Sequence, residues 1–137
     1  MKKFFILTVV VVGCFVVLKN KTRILANLTF IKGSVELADN ISKDLKPNSI
    51  LYIIVKNDKG VMFAIKEIIN PKFPFQFEIN HKNVLYPDLT TLNIKLQAHI
   101  NNHGEVGKIK SGDIYSENTN SIIINPKVVI KIDKVMY

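Results

Sequence analysis

The sequence predicts an all-β fold, an antiparallel β-sandwich of immunoglobulin-like shape with six to seven strands, placed after an N-terminal membrane segment. Short runs of β-branched and aromatic residues recur along the chain, and Gly, Pro and Asn separate them. No amphipathic helix of useful length lies between these runs. Residues 24–137 are enough for one domain, whereas residues 1–23 have the character of a targeting segment.

The N-terminal segment begins with Lys2 and Lys3, continues with apolar residues from 4 to 18, and is closed by Lys19 and further basic residues. Fifteen apolar residues fall short of the roughly 20 that a perpendicular transmembrane helix needs. Basic side chains at both ends can extend toward the lipid headgroups and so shorten this requirement. We therefore expect an export or anchoring segment that tethers the domain at the periplasmic face of a bacterial cell envelope.

Cys14 has two interpretations. Residues 11–14, Val-Val-Gly-Cys, have the form of a lipoprotein processing site, in which Cys14 would be lipidated and become the first residue of the mature chain. The residues after Cys14 remain apolar up to Leu18, which instead favours an uncleaved anchor helix that contains Cys14 as a small apolar side chain. Both interpretations predict membrane attachment, and both leave the domain without a disulfide.

The charge distribution argues against nucleic-acid binding. The chain has a net charge of +8, but five of its nineteen basic residues and none of its eleven acidic residues lie in the N-terminal segment. The domain therefore carries fourteen basic and eleven acidic residues, and its lysines are scattered rather than clustered beside aromatic side chains.

Seven stretches have strand patterns: 30–37, 50–55, 61–68, 73–79, 92–100, 121–125 and 128–135. The stretch 92–100 alternates apolar and polar residues, which predicts a strand with one buried face. Residues 56–60, Lys-Asn-Asp-Lys-Gly, predict a hairpin turn between the second and third stretches. The alternate phenylalanines of 73–79 are more typical of core than of a peptide groove, and residues 38–45 suggest a surface turn rather than a helix.

The chain offers little that is typical of an enzyme. We find no serine nucleophile elbow and no glycine-rich phosphate loop, and we predict neither a catalytic residue nor a cofactor. A metal site from His99, His103 and Glu105 is disfavoured, because positions four apart do not converge in a strand that runs into a turn. We expect instead that His99 projects from the polar face of its strand and that His103 belongs to a polar turn.

Binding to a client protein is the remaining role, and two features suggest where it would occur. Residues 104–113 form a polar, glycine-punctuated connection in which Lys110 and Asp113 are candidate client contacts. A plainer interpretation is a loop that needs glycine for positive φ. An exposed edge strand is a second candidate, because it presents unpaired N–H and C=O groups.

The order of these segments resembles the C-terminal periplasmic domain of CycH-type cytochrome c biogenesis proteins. The resemblance rests on the stretches 31–37, 45–55, 63–66, 73–79, 98–104, 111–115 and 128–135, each of which is a strand or turn pattern. It implies a non-catalytic binding role in cytochrome c maturation, with apocytochrome c or haem-attachment subunits as partners. Longer family members carry tetratricopeptide helices between anchor and domain, and this sequence does not, so we expect only part of their role.

A second resemblance leads to a different function. Small secretion-associated lipoproteins of the pilotin type are also exported β-sandwiches with a Phe-Pro-Phe strand, here residues 73–75, and a later strand that leads into a glycine-containing hairpin, here 92–104. It implies that Cys14 carries lipid and that the domain assists assembly of an outer-membrane secretion complex. An enzyme is the third and weakest hypothesis.

Overall fold

The computed structural model describes residues 2–124 and 126–137, so Asn125, at the end of one predicted strand, lies outside the described residues. Two N-terminal helices precede a domain built from strands. The helices and strands are α1 (Lys2–Lys19), α2 (Lys21–Leu28), β1 (Phe30–Leu37), β2 (Ile50–Lys56), β3 (Met62–Ile69), β4 (Phe75–Asn80), β5 (Asn93–Asn101), β6 (Ile114–Tyr115), β7 (Ile122–Ile123), β8 (Lys127–Ile132) and β9 (Lys134–Val135).

The strands form two sheets, which confirms the predicted immunoglobulin-like sandwich. The smaller sheet has the order β4-β1-β8, and the larger has the order β3-β2-β5-β6-β9, with β7 pairing along another part of β5. One pair departs from the antiparallel prediction, because β1 and β8 run parallel, with Gly33 opposite Val128. A parallel pair joins strands that are distant in sequence, and no local turn signal announces it.

β2 is an interior strand of the larger sheet, and its composition follows from that position. β3 and β5 flank it on both sides, and its five interior residues from Leu51 to Val55 are all buried. A strand covered on both faces needs a continuous apolar run rather than alternation. The predicted hairpin to β3 is confirmed: Asn57 Oδ1 accepts the N–H of Lys59 (3.1 Å) and Val61 (2.9 Å), and Gly60 supplies a φ of +79°.

The core lies between the two sheets and includes the alternate phenylalanines of 73–79. Phe77 is buried, while Phe73 and Phe75 are partly buried and pack against the core, which confirms that these phenylalanines belong to the core. Gly33 of β1 is required for this packing: a Cβ there would lie 2.1 Å from Val128 O and 2.9 Å from the ring of Phe77. Only a residue without a side chain fits between them.

The chain segment from β6 to β7, which lies beside β5, is irregular. Side-chain hydroxyl groups there replace some of the backbone hydrogen bonds of the sheet. Between its short pairings with β7 and β6, Ser116 Oγ accepts the N–H of Ala98 (2.9 Å), and Thr119 Oγ1 accepts the N–H of Leu96 (2.9 Å). The backbone N–H groups of Ser116 and Thr119 return these bonds to the carbonyls of Ala98 and Leu96. Hydroxyl groups thus continue the ladder of the sheet where the backbone leaves its register.

The N-terminal helices were predicted only in part. Cys14 is an exposed free thiol on α1, and in the described part of the chain no helix combines the length and apolarity that crossing a membrane requires. The helix α2 was not predicted; it spans the expected boundary at residue 24, and its Ala26 is buried. Arg23 at its start pairs with Asp88 at 3.3 Å. The predicted turn in 38–45 contains a short 3-10 turn at Ser42–Asp44.

Candidate functional site

The segment that connects β5 to β6 is organised around the carboxylate of Asp113. A single oxygen, Oδ2, lies 3.1 Å from His99 Nε2 and 2.9 Å from His103 Nε2, and accepts the backbone N–H of Lys110 at 2.8 Å. Asp113 N–H returns a bond to the carbonyl of Lys110 at 3.0 Å and closes the turn. We call these four residues, His99, His103, Lys110 and Asp113, the Asp113 cluster.

The hydrogen bonds fix the tautomer of one ring in the Asp113 cluster. The backbone N–H of Glu105 donates to His103 Nδ1 at 3.1 Å, so Nδ1 acts as an acceptor. The proton of the neutral His103 ring therefore sits on Nε2, which donates it to Asp113. This arrangement ties the first residues of the connection to its last one.

The same contacts determine the ionisation of Asp113. Burial by itself would raise the pKa of Asp113, because it disfavours the charged carboxylate. Hydrogen bonds from the Lys110 backbone and from His103 and His99 favour the carboxylate, and together they hold the pKa below its ordinary value. The side chain is 4% exposed. Asp113 is thus an ionised acceptor enclosed by its donors.

The structure adds burial to two expectations at this site. His99 does lie on the face of β5 opposite the core residues, but it is buried rather than exposed, because the connection folds over that face and Tyr52 of β2 packs near its ring, with centroids 6.3 Å apart. Asp113 was a candidate client contact, yet its carboxylate is enclosed and already bonded within the chain. Its observed contacts hold the loop in place.

The outer surface of the connection presents lysines and apolar side chains. Lys110 Nζ lies 2.9 Å from Glu105 Oε1, and Lys108 Nζ lies 3.7 Å from Glu105 Oε2. The hydrogen bond and charge of Lys110 lower the pKa of Glu105. Val106 and Ile109 are also exposed. Lys110, unlike Asp113, is therefore placed where a partner could reach it, and its role as a client contact remains a prediction.

The metal ligands that were weighed from the sequence do not meet. His99 and His103 both point at Asp113, whereas the carboxylate of Glu105 pairs with Lys108 and Lys110. Among the described residues, no group of three or more His, Cys, Asp or Glu side chains is arranged to hold a metal ion. The Asp113 cluster itself was missed, because Asp113 lies 14 residues from His99 in the chain. The Ser-Gly-Asp turn before β6 is the local signal that identifies it in retrospect.

A second surface is a groove of about 720 Å³ on the outer face of the smaller sheet. Its lining includes Gly33, Phe77 and three lysines, Lys32, Lys66 and Lys127. Lys32 lies 3.8 Å from Glu78 Oε2 and also sits over the ring of Phe30, 5.0 Å from its centroid. The groove is therefore open, lysine-rich and built mainly on one sheet.

The two-sheet fold defines the chain as an immunoglobulin-like domain, and comparison with known families is more specific. The model of the cytochrome c-type biogenesis protein H Ig-like domain matches residues 31–133. This chain belongs to that family, as the order of its segments suggested. No curated protein matches the chain.

A solved structure shares the fold. It is an alternative pilotin from the type II secretion system of Vibrio cholerae, with a TM-score of 0.51 and 16% sequence identity over 75% of this chain and 93% of the pilotin. At this identity the similarity concerns the fold alone. This chain and that pilotin thus share one architecture.

Proposed function

We propose that this chain is a membrane-tethered, non-catalytic binding module of cytochrome c maturation, which engages apocytochrome c or the subunits that attach haem to it. The family match across residues 31–133 carries the proposal, because it indicates a role in cytochrome c-type biogenesis for almost the whole domain. The domain would act in the bacterial cell envelope, held at the periplasmic face by residues 1–23.

The connection between β5 and β6 is the first surface that we assign to partner contact. The Asp113 cluster holds it from beneath, so its exposed side chains are presented without the entropy cost of ordering a mobile loop. Lys108 and Lys110 offer charge, and Val106 and Ile109 offer apolar area. This combination suits a partner that presents acidic and apolar side chains together.

A pilotin-like role is the second candidate, and the similarity to the Vibrio cholerae pilotin fold favours it. In that role Cys14 would be lipidated, and the domain would assist assembly of an outer-membrane secretion complex. Mass spectrometry of the mature N-terminus separates the two roles, because a pilotin-like lipoprotein would begin at a lipidated Cys14.

Affinity capture from detergent-solubilised membranes tests the proposal. The full chain should be used, since a truncated chain that begins at residue 24 would lack the first turn of α2. The tag belongs at the C-terminus, where Tyr137 is 98% exposed. We expect enrichment of apocytochrome c or haem-attachment subunits; enrichment of outer-membrane secretion subunits would instead support the pilotin-like role, and capture of neither would contradict both.

Paired variants test the loop surface in the same assay. Lys108→Ala with Lys110→Ala should reduce the retained partner by about three- to tenfold, because both substitutions remove charge from the proposed contact. Lys43→Ala with Lys82→Ala is the matched control, since both lysines are exposed and lie outside the connection. Equal retention by the two double variants would exclude the loop as a contact.

A further inference from the structure

β8 forms one edge of the smaller sheet, and its outer edge has no strand partner among the described residues. The carbonyls of Pro126 and Ile132 accept the N–H of Lys32 (3.2 Å) and Ala38 (3.0 Å), so even-numbered positions of β8 face β1. In a parallel pair, alternate residues direct both backbone groups to opposite sides. The N–H and C=O groups of Val129 and Lys131 therefore point away from the sheet and are available to another strand.

The outer edges of β3 and β4 are already capped in part, and the edge strand β9 has only two residues. On β3, the carbonyl of Phe63 accepts the N–H of Leu85 (2.8 Å) and Tyr86 (3.1 Å). On β4, the carbonyl of Glu78 accepts a hydrogen bond from Lys66 Nζ at 2.9 Å. A peptide that added there would displace these bonds, whereas addition at β8 displaces none of them.

The side chains of β8 define what would fit beside it. Ile130 and Ile132 are buried in the core, while Lys127, Val129 and Lys131 are exposed on the outer face, with Val129 61% exposed. The outer face therefore presents basic, apolar and basic side chains at alternate positions. Side chains of an added strand would stand next to these three at the same spacing.

The surroundings of β8 are also basic. The outer face of the smaller sheet carries three lysines and two glutamates, Lys32, Lys127, Lys131, Glu36 and Glu78, and Lys66 of β3 reaches its edge from the larger sheet. Glu78 approaches Lys32 and Glu36 lies opposite Lys131 in the register, so this face retains an excess of positive charge. An acidic partner is favoured there, and a second copy is not, because antiparallel pairing of two β8 strands would bring Lys127 opposite Lys131.

We propose that β8 binds an extended segment of a partner protein by strand addition, and that this segment has acidic, apolar and acidic side chains at alternate positions on its outward face. The proposal rests on the proposed binding function and specifies its surface and partner chemistry. The backbone groups of Val129 and Lys131 supply the hydrogen bonds of the new ladder. Lys127, Val129 and Lys131 select the sequence.

Synthetic peptides test the selection. The probe is a fluorescent peptide with Glu, Val and Glu at alternate positions, separated by Thr, and its binding to the full chain in detergent micelles is measured by anisotropy. A Lys-Val-Lys peptide of the same design is the reference. We expect the wild type to prefer the acidic peptide, and Lys127→Glu with Lys131→Glu to reverse the preference, each by about tenfold or more. If Lys127 and Lys131 served only to prevent edge-to-edge aggregation of β8, replacing them would not reverse the peptide preference.

A matched charge variant and a backbone variant complete the test. Lys43→Glu with Lys82→Glu makes the same change in net charge at exposed sites elsewhere and should leave the preference intact. Val129→Pro removes an outward N–H that β1 does not use, so binding should be lost while circular dichroism keeps the native spectrum. Val129→Thr retains that N–H and should bind.

The peptide-binding results can contradict the β8 proposal independently of the affinity-capture results that test the proposed function. If the wild type bound neither peptide, or bound both equally, the β8 proposal would be overturned even if affinity capture retained maturation subunits. Equal binding by Val129→Pro and Val129→Thr would also overturn it. Reversal of peptide preference together with capture of secretion subunits would support β8 as the surface and refute the assigned pathway.

Discussion

At the residue scale, Asp113 is the side chain on which the candidate site depends. Its Oδ2 gathers N–H groups from His99, His103 and Lys110, and these come from the end of β5 and from the connection that follows it. A buried carboxylate is stable only when such donors surround it. The loop that carries Lys110 is therefore held by a carboxylate that is enclosed within the chain.

Replacing this carboxylate should loosen the loop. Asp113→Asn keeps the shape but loses an ionised acceptor, and its amide group would face donors that it cannot all satisfy, so we expect the free energy of unfolding to fall by about 1–3 kcal/mol. Urea denaturation measures this change. Asp39→Asn, at an exposed carboxylate, is the control and should change stability by less than about 0.5 kcal/mol. Equal effects of the two variants would contradict the assigned role.

The pH dependence of stability follows from the same carboxylate. The pKa of Asp113 in the folded chain lies below its ordinary value of 3.8, so its stabilisation is present above pH 3.8 and is lost as the pH falls through the lower folded pKa. Below about pH 4 the wild type should therefore lose stability more steeply than Asp113→Asn. If the stability of the two proteins depended on pH in the same way, Asp113 would not be the source of the acid-induced loss of stability.

At the scale of secondary-structure elements, the close pairing of β1 with β8 determines the strand order and register of the smaller sheet. Gly33 allows the backbone of Val128 and the ring of Phe77 to meet over β1, and the parallel register from Lys32 to Leu37 follows. This pairing also leaves β8 at the edge, which is what makes the proposed strand addition geometrically possible.

A methyl group at this close pairing should be costly. In Gly33→Ala the new Cβ meets the backbone oxygen of Val128 at 2.1 Å, and the backbone cannot move aside without disturbing the sheet, so we expect a loss of about 2–4 kcal/mol in the free energy of unfolding. Gly60→Ala has open space and only a positive φ, so about 1 kcal/mol is expected there. Similar losses at both sites, measured by thermal denaturation, would refute the steric account.

The strands were largely predictable from sequence, but apart from the β2–β3 hairpin their partners were not. Alternation located β1 and β5 within a residue of their ends, because a half-buried strand must repeat every two residues. The parallel pairing of β8, the short strand β6 and the burial of His99 depend on which distant segment lies alongside, and no local pattern contains that information. Lys110 is exposed on the loop and Asp113, three residues later, turns inward, a difference that the local sequence does not signal.

At the scale of the whole molecule, one fold carries two candidate functions. The family match and the pilotin similarity describe the same sandwich, so the fold cannot choose between them. The family match favours cytochrome c maturation because it spans residues 31–133 of this sequence, whereas 16% identity to the pilotin supports the architecture only.

The most direct test of the central claim is the amount of c-type cytochrome with covalently attached haem in cells that lack this chain, measured by haem staining of membrane proteins. We predict that haem-bearing cytochromes fall and that the full chain restores them. Unchanged cytochromes together with mislocalised outer-membrane secretion subunits would contradict the assignment to cytochrome c maturation and support the pilotin-like role.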